Sequence, residues 1–141
     1  MKSLATECVF LVDDDEDDRF LVEEVFKQYS SGCRLKPLHN GEELLLALKT
    51  GVDLPTLILL DLNMPLMGGF EVLRLLRQQV RYDSIPVIIL TTSDQAADHQ
   101  AAMALKADGF ITKPFTIEGL NQLVLHLRQT WLEGKCNYSE L

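Results

Sequence analysis

The chain has 141 residues, of which 47% are hydrophobic and 24% charged, and its formal net charge is -8. That length suits one domain with a single sizeable core, and the mixture is that of an ordinary soluble globular protein. The acidic balance argues against a broad basic face for nucleic acid, because phosphate contacts supply most of such affinity.

No apolar stretch approaches the length of a membrane span. The run "CVFLV" (8–12) is too short for a signal-peptide core and is followed by acids. A cytoplasmic protein is expected. "CVFLV" reads instead as a first strand, continuously apolar as in a parallel sheet covered on both faces. Behind it stands "DDDEDD" (13–18), then a helix over 16–29 with Leu21, Val22, Val25, Phe26 and Tyr29 at helical spacing. "CRLKPL" (33–38) is a mixed strand, and Pro37, which has no N–H for a ladder, assigns it to a sheet edge. Leu44, Leu45 and Leu48 mark a second helix from near Gly41.

"TLILL" (56–60) and "VIIL" (87–90) are two more buried strands. Between them a third helix starts near Gly69, with Phe70, Leu73, Leu75 and Leu76. An Ala-rich helix is expected from about Asp94 to Leu105, with Ser93 as its N-cap. "GFIT" (109–112) is a mixed fifth strand. The fifth helix, opened by Thr116, carries Ile117, Leu120, Val124, Leu127 and Trp131. Trp131 is either a ring capping the core or a dimer anchor. Residues 1–133 are expected to form the domain, and the tail 134–141, "GKCNYSEL", to fray.

Strand and helix alternate five times, which predicts an α/β fold: a doubly wound, flavodoxin-like parallel sheet of five strands with five helices. The order 2-1-3-4-5 puts the mixed strands at the edges and the ligand site beyond the C-terminal ends of strands 1 and 3. Asp13 and Asp14 end strand 1, Asp61 ends strand 3, Thr91 and Thr92 end strand 4, and Lys113 ends strand 5. Two unit charges about 4 Å apart repel by roughly 4 kcal/mol at an effective dielectric near 20. Three carboxylates on one rim therefore call for a proton or a cation, and all-oxygen ligands suit Mg²⁺. An EF-hand reading of Asp13, Asp15, Asp17 and Glu24 fails, because Asp18 stands where its loop needs Gly and a strand precedes it. Asp15 to Asp18 fit the first turn of helix 1, where negative charge is favoured. Asp17 and Asp18 are expected to be a solvated face.

"LVDDDEDD", "LLDLNMPLMGG", "PVIILTTS" and "GFITKPF" together resemble the response-regulator receiver domain of two-component signalling. The resemblance runs from about residue 7 to residue 130, and its extent is that of the single-domain members. "LTTS" and "LRQTWLE" resemble the small regulators paired with phytochrome-type and other sensor histidine kinases. It implies that Asp61 accepts a phosphoryl group from a kinase phosphohistidine, with Mg²⁺ (or Mn²⁺ in its place) as cofactor. Asp14 and Asp61 would bind the ion directly, the Asn63 backbone carbonyl would be a third ligand, and Asp13 would act through water. Lys113, followed by a Lys113–Pro114 bond that the resemblance makes cis, would pair with the phosphoryl oxygens, and Thr91 would donate its hydroxyl to them. Phe110 would be the aromatic switch residue, its ring turning inward behind Thr91; the plainer reading is a core aromatic. Asn63, Thr92 and Ser93 would tune access to the site, and Met64, Pro65, Gly68 and Gly69 would shape the loop after Asp61. The implied output is a changed face of helix 4, strand 5 and helix 5, read by a downstream protein or a second copy of the chain. Catalysis would extend only to the domain's own phosphorylation and dephosphorylation.

Two rivals stand beside this. A haloacid-dehalogenase-type phosphatase needs a carboxylate two residues beyond its nucleophile, where this chain has Asn63. An interaction module that is never phosphorylated would usually have lost an acidic, Thr or Lys position, and none is lost. Cys8, Cys33 and Cys136, like His39, His99 and His126, show no metal-type spacing. The cysteines are expected to be reduced thiols.

Overall fold

Successive residues of each central strand enter opposite cores, which is why these strands read as unbroken apolar runs. In the computed structural model, which describes residues 7–29, 32–51 and 54–132, the strands are β1 (Glu7–Val12), β2 (Arg34–Leu38), β3 (Leu57–Leu60), β4 (Val87–Thr91) and β5 (Gly109–Thr112). They form one sheet in the order β2-β1-β3-β4-β5, every pairing parallel. Pro37 lies opposite Leu11 on the edge strand, where its missing N–H does not break a central ladder.

The helices are α1 (Glu16–Tyr29), α2 (Gly41–Thr50), α3 (Gly69–Arg77), α4 (Ala96–Ala104) and α5 (Ile117–Leu127). Val9, Leu11, Leu57, Leu59, Ile88 and Leu90 point to one face, packed with the apolar stripes of α1 and α5. Phe10, Val12, Ile58, Leu60, Val87 and Ile89 point to the other, under α2, α3 and Ala102 of α4. Trp131 is half-buried against the first of these cores, as a cap on it.

The helix starts are chemically marked. The side chains of Asp15, Asn40 and Thr116 accept from the backbone N–H groups of Asp18, Glu43 and Gly119. Ser93 is not the cap of α4, which begins only at Ala96 after Gln95. Its hydroxyl donates to Asp98 at 2.6 Å and accepts from the Gln95 N–H, folding the connection before the helix instead. Two elements have no counterpart in the sequence reading: a one-turn helix at Val80–Asp83 and a π-helical turn at Arg128–Leu132 that extends α5. Arg77 clamps the former, donating to the carbonyls of Asp83 and Ile85 and pairing with Asp108 at 2.9 Å.

Cys33 is disulfide-bonded, which corrects the expectation of reduced thiols for that residue; spacing along the chain carries no information about which sulfurs meet in space. The tail 134–141 lies outside the described residues. Among the described residues no helix is long and apolar enough to cross a membrane.

Candidate functional site

Parallel pairing brings the residue after each strand to one rim. The Asp61 N–H donates to the Val12 carbonyl at 3.0 Å, the Asp13 N–H to Leu38 at 3.1 Å, and the Lys113 N–H to Thr91 at 2.7 Å. The backbone ladders thus run past the strand ends and fix the Cα positions of the polar residues. Asp13 and Asp61 are only 2% and 6% exposed and Thr91 is fully buried, whereas Asp14 is exposed.

One carboxylate oxygen from each of Asp13, Asp14 and Asp61 lies within 4.8 Å of the others. This donor set is hard, anionic and partly open to water, and it fits a Mg²⁺-type ion. Burial pushes the Asp13 carboxyl up to about 6, against the lowering effect of its hydrogen bonds from Lys113 and the Asp15 N–H. A carboxylate that resists ionising although it is paired gains from a further positive charge.

The Lys113 ammonium is that site's fixed cation. It donates to Asp13 Oδ2 at 2.6 Å and Asp18 Oδ2 at 2.8 Å, and stands 3.5 Å from Asp61 Oδ2. Burial would lower its pKa, but the hydrogen bonds to Asp13 and Asp18 outweigh that and raise it. Asp18 is therefore no part of a solvated face, which corrects the sequence reading. Its position in the first turn of α1 aims it at a residue 95 positions away. Asp17 remains exposed. Arg19 donates to the Asp13 carbonyl at 2.6 Å and anchors the turn behind the cluster.

Among the described residues no peptide bond is cis, so Lys113–Pro114 is trans, contrary to expectation. The trans form is the intrinsically favoured one by about 0.5–1 kcal/mol, and Lys113 reaches the rim with it.

Thr91 Oγ1 accepts from the Ser93 N–H at 3.3 Å. The Ser93 carbonyl in turn accepts from the Thr112 hydroxyl at 3.0 Å, tying the β4–α4 connection to β5. Thr92 is exposed and Asn63 is exposed in the loop after Asp61. Phe110 is half-buried on β5 and packs on the core while its ring stacks on His99 of α4, centroids 5.1 Å apart. His99 and Asp18 were not picked out for these contacts; for each, the helical register was the only available signal. In the same loop Met64 is buried, Pro65 is exposed, and Gly69 lies against the Asp61 backbone, where an added Cβ would be 2.3 Å from its carbonyl oxygen.

Comparison with known proteins gives a coherent answer. Residues 9–125 match the family model of the response regulator receiver domain. Response regulator Rcp1 of Synechocystis sp. is 34% identical over 130 residues, covering 89% of this chain and 88% of that protein. A probable methanogenesis regulatory protein, FilR2 of Methanothrix harundinacea, is 30% identical over 128 residues, covering 88% and 83%. Among solved structures, the Mn²⁺-bound form of Rcp1 superposes with a TM-score of 0.81 at 33% identity, over 92% of this chain and 96% of that one. The phosphorylated cyanobacterial phytochrome response regulator RcpA gives a TM-score of 0.84 at 30% identity, with the same coverage.

Proposed function

The chain belongs to the response-regulator receiver family, the signalling domains of two-component systems, and on that premise we propose that Asp61 is its phosphoacceptor. The observation that carries this is the convergence of three carboxylates within 4.8 Å beside an ammonium 3.5 Å from Asp61.

In this reading an Asp61 carboxylate oxygen attacks the phosphorus of a phosphohistidine. The P–N bond breaks, the imidazole leaves with the electron pair, and an acyl phosphate remains on Asp61. A bound Mg²⁺, or Mn²⁺ in its place, supplies the positive charge that offsets the arriving phosphoryl oxygens. Asp14, Asp61 and the Asn63 backbone carbonyl would hold that ion, and Asp13 would act on it through water. Lys113 and the Thr91 hydroxyl take the phosphoryl oxygens. Asn63 and Thr92, both exposed at the rim, set how readily water reaches the adduct, and Ser93 acts through its N–H on Thr91.

The donor we propose is a sensor histidine kinase or phosphotransfer protein in the cytoplasm. A cleft of about 110 Å³ between α1 and the β5–α5 connection, with Leu21, Pro114 and Phe115 in its walls, opens beside Lys113. Phe115 in its wall is exposed, as are Phe20 on α1 and Ile117 at the start of α5, which suits an apolar helix presenting its phosphohistidine. When Thr91 turns toward the phosphoryl group, its contact with Ser93 and the space behind it change, and Phe110 follows inward. The face of α4, β5 and α5 then differs for a downstream protein or a second copy. Switching from 1:99 to 99:1 requires roughly 5.5 kcal/mol of differential stabilisation. The net charge of -8 favours a protein target over nucleic acid.

Incubation with Mg²⁺ and acetyl phosphate tests this by intact-mass spectrometry. One phosphoryl group should appear, be removed by alkali or hydroxylamine, and be absent with chelator or in Asp61→Ala. A wild type that stays unmodified, both there and with phosphorylated kinases, would leave a receiver-like binding module with an idle acidic site.

A further inference from the structure

An ammonium has three hydrogens to donate. Lys113 gives two of them to Asp13 Oδ2 and Asp18 Oδ2, at 2.6 and 2.8 Å. Asp61 Oδ2, at 3.5 Å, is within ion-pair range but beyond a good hydrogen bond. The lysine that should meet the phosphoryl group is thus already held by two other carboxylates. The third hydrogen is free for Asp61, but a dianionic group there attracts the whole ammonium toward itself, and that movement lengthens its bond to one of the other two.

The two partners differ in what they lose. Asp13 is almost wholly buried, its Oδ1 accepts the Asp15 N–H, and its carbonyl is held by Arg19. Stripped of Lys113 it would be a buried carboxylate with less positive charge about it, which is costly. The Asp18 side chain is 34% exposed and stands in the first turn of α1, where the helix N-terminus favours an anion. Released from Lys113, it turns to water at small cost. The two bonds are therefore unequal, and the one to Asp18 is the one that exchanges.

We infer that Asp18 is a resting counter-ion for Lys113, a positioning residue that competes with the phosphoryl group on Asp61 and so sets how strongly phosphorylation captures the lysine. This rests on Asp61 being the phosphoacceptor. It also gives the last acid of the run 13–18 a task distinct from metal binding: it holds Lys113 in the unphosphorylated state and lets go in the phosphorylated one.

The test uses fluoroberyllate, which mimics a phosphoryl group on a carboxylate, titrated at fixed Mg²⁺ and followed by NMR. Asp18→Asn should tighten its binding about five- to tenfold, the range expected for losing one charge-assisted competitor. Asp17→Asn, which removes the same charge at an exposed neighbour, should change it less than about twofold. In a Lys113→Ala background the Asp18→Asn gain should vanish, since the competition runs through that ammonium. On the unaltered protein, the Asp18 carboxyl carbon resonance should move toward that of a solvated carboxylate when fluoroberyllate binds, a readout independent of any variant's folding. No tightening in a folded Asp18→Asn protein, an equal gain without Lys113, or an unmoved Asp18 resonance would each overturn the inference. A wild type that takes up no fluoroberyllate would instead overturn the phosphoacceptor reading.

Discussion

Lys113 Nζ lies 2.6 Å from Asp13 Oδ2, joining the end of β5 to the end of β1 across the rim of the sheet. The contact does not make Asp13 an easy anion. Burial still holds its carboxyl at about 6, well above an ordinary aspartate. In the metal-free protein the folded state therefore keeps a proton on Asp13 that the unfolded chain releases. Between about pH 4 and pH 6 this group's contribution to stability falls as pH rises. The stability of wild type relative to Asp13→Asn should decline across that window and level off above it, as chemical denaturation at several pH values will show. Lys113 works in the opposite range. Its raised pKa makes its contribution fully present below the ordinary lysine value and lost only at strongly alkaline pH. A wild type whose relative stability rises from about pH 4 to pH 6 would contradict the account of Asp13.

Divalent binding should depend on Asp14, the exposed member of the carboxylate cluster. Mg²⁺ at a hundredfold excess over its Kd should stabilise the wild type by about 2.7 kcal/mol, read as a rise in Tm. The rise should be larger at neutral pH than near the ordinary aspartate pKa, because the ion favours the ionised Asp13. Asp14→Ala should remove the effect, and Asp17→Ala should leave it. Tight calcium binding that required Asp17 would reinstate the helix–loop–helix calcium reading.

How much of this was legible in sequence follows from where the information lies. The central strands were, because burial on both faces forces unbroken apolar runs, and Pro37 identified the edge. The rim residues were also legible, since a parallel sheet delivers the residue after every strand to one end. Asp18 was not. Inside a run of six acids its type is uninformative, and its bond to Lys113 depends on the angle at which α1 leaves β1. The turn at Val80–Asp83 is too short to show a period, and Arg77, from the end of α3, holds it through backbone carbonyls. Ser93 reads as a cap because a hydroxyl three residues before a helix has the same composition signal whether it accepts from the helix's first N–H groups or, as here, donates to the Asp98 side chain.

Phe110 and His99 give a third prediction. Their stacked rings hold the β5 side chain against α4 at the face proposed to carry output. Phe110→Ala should leave phosphorylation of Asp61 nearly intact while changing target binding or self-association, measured by sedimentation with and without acetyl phosphate. His99→Ala should cost only about 0.5 kcal/mol of stability, the low end for a ring pair at an exposed position. Unchanged association of the Phe110 variant in both states would demote that ring to core packing.

The last prediction concerns Gly69. Its N–H donates to the Leu62 carbonyl at 2.9 Å, drawing the start of α3 onto the backbone that carries Asp61. A Cβ there would stand 2.3 Å from the Asp61 carbonyl oxygen and 2.8 Å from Leu62 Cα. Both neighbours are backbone, so no rotamer relieves the clash; either α3 or the end of β3 has to move. Gly69→Ala should destabilise the fold by about 1–3 kcal/mol, as overpacking does. It should also slow phosphorylation of Asp61 by acetyl phosphate, because the nucleophile is displaced relative to Asp13 and Lys113. Gly68→Ala is the matched control: the nearest atom to its added Cβ is the Leu62 carbonyl oxygen at 3.4 Å, an acceptable contact. That variant should keep wild-type stability to within about 0.5 kcal/mol and a similar phosphorylation rate. Thermal denaturation and intact-mass time courses on the two variants decide the matter, and equal behaviour of both would mean that the close approach of α3 to Asp61 does not position it.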